Sequence, residues 1–155
     1  MVFLKIGFST LACPEWSWTD IYSMAKDFKF DGIEIRGLGN EIFSVKAQPF
    51  TEAQLPATIA KLQSLGLEIP CLSSGACLKF KDKYQEAENE IRAYAQLASK
   101  LGASYIRILA DLNPDPADEV DDEYIVEALK KLVPVAEEIT VFNDKCIGGE
   151  CLDAI

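Results

Sequence analysis

The sequence predicts an α/β fold: about four strand–helix units with parallel strands, a partial (half) eight-stranded barrel, ending in an atypical C-terminal tail. Three observations predict it. Strand and helix signals alternate every ~25–40 residues, the size of a βαβ unit. Short polar turns precede each strand and longer Gly/Pro loops follow it. Ile33-Glu34-Ile35-Arg36 alternates apolar with charged residues, although strands of a parallel sheet are usually apolar on both faces. Two charges on one side of a buried strand need partners or a watery cavity, so that side is predicted to line a barrel interior near its open end. A complete barrel takes about 250 residues; this chain has 155.

In chain order, Leu4 to Ser9 is the first predicted strand, with Leu4, Ile6 and Phe8 on one face. Thr10 to Trp16 is a loop. Ser17-x-x-Asp20 has the form of a capping box, and Ile21, Met24, Ala25 and Phe28 recur behind it at helical spacing. Asp31-Gly32 is expected to turn the chain into the second strand, Ile33 to Arg36, and Gly37 and Gly39 open a loop needing unusual backbone freedom. A second helix is predicted from about Gln54 to Leu65. Pro56, which has no N–H, belongs in its first turn, and Gly66 belongs at its end.

Leu67 to Ser73 is the third predicted strand, with Ser73-Ser74-Gly75 beginning its outgoing loop. The third helix, about Lys83 to Leu101, carries a long apolar stripe that includes Ala87, Ile91, Tyr94 and Ala98, and Gly102 caps it. Ser104 to Ala110 is the fourth strand; Ile106 and Ile108 share one face, Tyr105, Arg107 and Leu109 the other. Gly7, Glu34, Cys71 and Arg107 are expected to face the same interior. The fourth helix starts near Asp122, and Pro134 is expected to kink it or end it early. Residues 1–138 form the half barrel, and 139–155 read as a short strand or irregular tail, an altered or truncated ending.

A net charge of −10, with no Lys/Arg cluster, argues against a nucleic-acid partner. No apolar run reaches the roughly 18 residues of a membrane span, and the start lacks the pattern of a signal peptide, so no membrane is expected and the cytoplasm is the expected location. The five cysteines include no Cys-x-x-Cys pair and read as free thiols. No histidine is present, which removes the commonest general base and transition-metal ligand. Cys146 and Cys151 do not make a metal site by themselves. The acidic stretch from Asp111 to Asp122 lacks the spacing of a calcium loop.

The text Lys5-Ile6-Gly7-Phe8-Ser9-Thr10, Asp31-Gly32-Ile33-Glu34-Ile35-Arg36-Gly37, Gly66-Leu67-Glu68-Ile69-Pro70-Cys71 and Leu101-Gly102-Ala103-Ser104-Tyr105-Ile106-Arg107 resembles the sugar phosphate isomerase/epimerase family, the TIM barrels related to xylose isomerase and endonuclease IV. The resemblance implies proton transfer next to a carbonyl of a sugar or sugar phosphate, on a divalent metal (Mg, Mn or Zn) in the complete family barrel. The family's metal ligands lie mostly on later strands. No metal ligand is assigned to this chain, no catalytic residue can be named, and no cofactor is expected in this half alone.

What carries over is the first half of the pocket rim: Glu34 and Arg36 at the end of strand two, Ser73 and Ser74 after strand three, Arg107 in strand four, and Trp16 in the first loop. Two uses of the charges stay open: charged hydrogen bonds to a sugar hydroxyl, carboxylate or phosphate, or an internal ion-pair network with Lys5 that only fills the barrel. Trp16 either stacks on a sugar or covers the core. Three functions follow as expectations: a half barrel inactive as a lone chain, an active isomerase/epimerase when self-association or a second chain completes the barrel, and a non-catalytic binding module. Open parallel edges are a pairing hazard, so a homo-oligomer is expected.

Overall fold

The structure, a computed structural model, describes residues 4–111 and 120–137. The predicted strand at 139–142 and the tail to 155 lie outside the described residues, as do 112–119 of the acidic loop. Four strands alternate with four helices: β1 (Gly7–Ser9), α1 (Trp18–Asp27), β2 (Gly32–Glu34), α2 (Leu55–Leu65), β3 (Cys71–Cys77), α3 (Tyr84–Leu101), β4 (Tyr105–Leu109) and α4 (Asp122–Glu137). β1 pairs in parallel with β2, and β3 with β4. Parallel bridges Gly32↔Glu68 and Ile35↔Leu72 join the two pairs. The spatial order is therefore 1-2-3-4, the wall of a partial barrel.

One face of this wall makes the core. Ile33, Ile35 and Leu72 are fully buried, and Ile106 and Ile108 nearly so. They pack with Ile21 and Ala25 of α1, Leu62 of α2, Ile91 and Ala95 of α3, and Ala128 and Leu132 of α4. Each such Ile or Leu contributes about 1.5–3 kcal/mol by leaving water. The helical periods of α3 and α4 fall where expected, because both are long and amphipathic.

The helix starts and stops follow local chemistry. Ser17 caps α1: its Oγ accepts from Asp20 N at 3.2 Å, and Asp20 Oδ2 accepts from Ser17 N at 3.3 Å. Pro56 occupies the first turn of α2, and Gly66 and Gly102 end α2 and α3 in the left-handed conformation (φ +68° and +71°).

Several expectations are corrected. α1 stops at Asp27, and the left-handed turn falls on Lys29 (φ 59°), so Gly32 is already in β2 and Asp31-Gly32 is not the turn. Phe28 lies beyond the stripe and is 73% exposed. Leu4 and Ile6 are exposed and precede β1, which among the described residues pairs with β2 alone. Asn40 to Phe50 contains two short 3-10 turns, Ser44–Lys46 and Gln48–Phe50. β3 begins at Cys71 rather than Leu67 because Pro70 has no N–H to give the ladder, and it runs on to Cys77, so Ser73 and Ser74 lie within the strand. α4 continues through Pro134 to Glu137. Pro134 is on the solvent side, so the carbonyl it leaves free is not shut into the core.

Candidate functional site

The face of the sheet opposite the core is polar. The registers Ser9↔Glu34 and Ser73↔Arg107 put these four side chains on one side, and Cys71 and Tyr105 join them two positions earlier. The Ser73 hydroxyl donates to Glu34 Oε1, a contact between β2 and β3. Ser73 is wholly buried and Glu34 half-buried, whereas Arg107 is exposed. Neither Arg36 nor Arg107 forms an ion pair among the described residues. The Cys71 thiol beside them is pushed up to about 11, first by burial and then by the Glu34 carboxylate, with Arg107 and Ser73 opposing.

The predicted site residues divide. Glu34, Ser73 and Arg107 come together. Ser74, one position on, faces the other way, fully buried, and its hydroxyl donates to the Arg107 carbonyl at 2.7 Å; strand alternation separates it from Ser73. Arg36 is at the rim, half-buried, its N–H held by Thr10 Oγ1 at 2.8 Å. Trp16 lies against α1 in a groove with Asp20, Met24 and Phe28 and makes no contact with the cluster. Lys5 pairs with Glu68 at 2.7 Å at the opposite end of the strands, so it has no part in a network with Glu34. Both partners of that pair are more than half exposed, so water and salt screen it.

Sequence reasoning missed the groups that hold the rim. Thr10 Oγ1 donates to Gly37 O (2.9 Å), Gly37 N donates to Ser44 Oγ (3.1 Å), and Ser44 N donates to the Tyr94 hydroxyl (3.1 Å). Thr10, Ser44 and Tyr94 are all buried, and this chain fixes the loop after β2 to α3. Gly37 takes φ +75° with the Glu41 carbonyl 3.2 Å from where a Cβ would stand, so only glycine fits. Between Ser73 and Cys77 the β3–β4 register shifts. The bulged Gly75 N–H leaves the ladder and donates to Glu90 Oε1 of α3 at 2.6 Å. A cleft of about 340 Å³ opens here, lined by Asn40, Glu41, Ile42, Phe43, Gly75 and Glu90. It lies at the C-terminal ends of the strands, the end at which barrels of this type bind ligands.

Among the described residues no group of three His, Cys, Asp or Glu side chains is gathered to hold a metal ion. Glu34 is already engaged by Ser73. The donors among the described residues do not fit a metal centre. No helix among these residues is long and apolar enough to cross a membrane.

Comparison with known proteins accords with this geometry. The chain is similar in structure to IOLI protein with a bound zinc atom (TM-score 0.67, 17% identity, 91% of this chain and 52% of that one). It is likewise similar to 3-keto-D-glucoside 4-epimerase YcjR from E. coli (0.65, 17%, 90% and 54%). A third relative is a xylose isomerase-like TIM barrel protein from Mycobacterium smegmatis in complex with magnesium (0.63, 14%, 88% and 53%). The chain spans about half the length of these relatives. No curated protein matches it. The family model described as xylose isomerase-like TIM barrel matches residues 23–142. By that match, over most of its length, the chain belongs to the xylose isomerase-like TIM barrel family.

Proposed function

We propose that this chain is the substrate-gripping first half of a sugar or sugar-phosphate isomerase/epimerase barrel, acting in the cytoplasm and inactive as a lone chain. The observation that carries the reading is the pairing of Ser73 with Glu34 on the inner face, next to an Arg107 that has no carboxylate partner among the described residues. Glu34 accepts hydrogen bonds from sugar hydroxyls, and Arg107 and Arg36 offer planar donor forks to a carboxylate or phosphate. Cys13, Cys71 and Cys77 are free thiols, in keeping with a reducing compartment. The proton transfer itself and the divalent metal that assists it belong to strands beyond these four. Strands of that kind from outside these four would supply them, and turnover then requires the completed barrel.

Calorimetric titration with aldoses and their phosphates tests this. The chain binds a sugar phosphate, and Arg107→Ala weakens binding at least tenfold without any turnover by the lone chain. Equal binding by Arg107→Ala, or no binding of any sugar or sugar phosphate, contradicts the assignment. Turnover by the lone chain contradicts its inactivity.

A further inference from the structure

One side of α3 holds the rim of the sheet at two points. Glu90 and Tyr94 lie one turn apart and share that side. Tyr94 accepts from Ser44 N, and Ser44 Oγ accepts from Gly37 N, next to Arg36. Glu90 does the corresponding task for β3: its Oε1 accepts from Gly75 N at 2.6 Å, two residues beyond Ser73. The helix thus ties both the loop after β2 and the bulge of β3.

The tie at Gly75 falls where the ladder fails. Ser73 pairs with Arg107 and Cys77 with Leu109, so β3 spends two more residues than β4 on this stretch. A backbone N–H that leaves a ladder needs another acceptor, and a carboxylate is a stronger one than a neutral carbonyl. The Glu90 carboxylate lies against the strand: a Cβ on Gly75 would stand 3.4 Å from Oε1 and 4.0 Å from Oε2. Between Ser73 and Gly75, the Ser74 hydroxyl donates to the Arg107 carbonyl at 2.7 Å. Beyond the bulge the pairing resumes, Leu78 N donating to Leu109 O at 2.9 Å. Bulges of this kind re-aim the side chains beside them.

We propose that Glu90 is a positioning residue of the sugar site: its carboxylate sets the bulge that holds Ser73 and Arg107 at the spacing at which they, with Glu34, grip one ligand. It acts through the backbone of Gly75 and Ser74, as a hydrogen-bond acceptor rather than as a charge felt by the ligand. The effect on affinity rests on the sugar-binding reading; the effect on the strand does not.

An amide chemical-shift map of the isotopically labelled full chain, with calorimetric titration of aldose phosphates, tests this on three proteins. They are the wild type, Glu90→Ala, which removes both acceptor and charge, and Glu90→Gln, which removes the charge alone. In Glu90→Ala the Gly75 amide proton moves upfield, the Ser73 and Arg107 amide signals shift with it, and aldose-phosphate affinity falls about tenfold or more. Glu90→Gln, whose side-chain carbonyl still reaches the Gly75 N–H, recovers most of both. Far-UV circular dichroism verifies folding; if Glu90→Ala is unfolded, Glu90→Asp, a methylene too short to hold the same N–H, replaces it. Unmoved Ser73 and Arg107 signals in the folded variant overturn the proposal, as does an equal loss of affinity in Glu90→Gln and Glu90→Ala. A lower melting temperature with unchanged affinity overturns it as well and leaves Glu90 a structural tie alone. A wild type that binds no aldose phosphate removes the sugar reading, and the amide signals then decide: shifted in Glu90→Ala and restored in Glu90→Gln supports positioning by Glu90, unmoved overturns it.

Discussion

The Ser73 hydroxyl of β3 donates to the Glu34 carboxylate of β2, and the register partner of Ser73 on the next strand is Arg107. Three neighbouring strands thus bring an acid, a hydroxyl and a guanidinium to one face, while Ile33, Leu72 and Ile106 fill the other. Glu34→Gln keeps the shape and removes the charge. It lowers sugar affinity about tenfold or more, since hydrogen bonds to a charged group contribute roughly 1.5–3 kcal/mol. Calorimetry and thermal melts on the same samples check this; a drop in melting temperature with unchanged affinity makes Glu34 a filler of the barrel only.

Arg107 is exposed and without an ion-pair partner among the described residues. Arg107→Ala therefore changes folding stability by no more than about 0.5 kcal/mol in urea titration, while weakening binding of an anionic sugar. Arg107→Lys recovers only part of that binding, because an ammonium lacks the planar fork.

Tyr94→Phe removes the acceptor for the Ser44 N–H in a fully buried setting. Leaving that donor unsatisfied costs about 1–3 kcal/mol, measured as a lower urea midpoint at unchanged slope. Amide exchange in the Gly37–Ser44 loop speeds up in the variant, because the loop loses its tie to α3.

Burial and Glu34 push the Cys71 thiol up to about 11 from an ordinary 9.0. Iodoacetamide therefore reacts slowly at Cys71 near pH 8 and speeds up as pH approaches 11. The folded chain holds this proton more tightly than the unfolded one. The resulting stability is complete below pH 9 and is lost as pH rises through 11. Mass spectrometry of alkylated peptides across that window reads the rates, and Glu34→Gln moves the rise to lower pH.

Much of the wall was legible in the residues. The α3 stripe through Ala87, Ile91, Tyr94 and Ala98 is long enough for its period to be unambiguous. Ser17 with Asp20, and Gly66 and Gly102, mark helix ends through chemistry that few other residues supply. What escaped depends on tertiary contacts. Lys29 adopts a left-handed turn with no glycine to announce it. Pro70 delays β3 on one side, and the bulge at Gly75 prolongs it on the other. Because β3 runs on past Ser73, strand alternation puts Ser74 on the core side, where sequence reasoning had grouped it with Ser73. Trp16 follows the α1 flank because the helix leaves that side uncovered. Glu90, Thr10 and Ser44 reveal their roles only through partners distant in sequence.

The most direct measurement is an amide chemical-shift map of the isotopically labelled chain titrated with a sugar phosphate. Shifts centred on Glu34, Arg36, Ser73 and Arg107, fading toward the helices, are the predicted result. Shifts confined to the helix side of the sheet, or to the groove at Trp16 and Phe28, would contradict a ligand face shared by these strands.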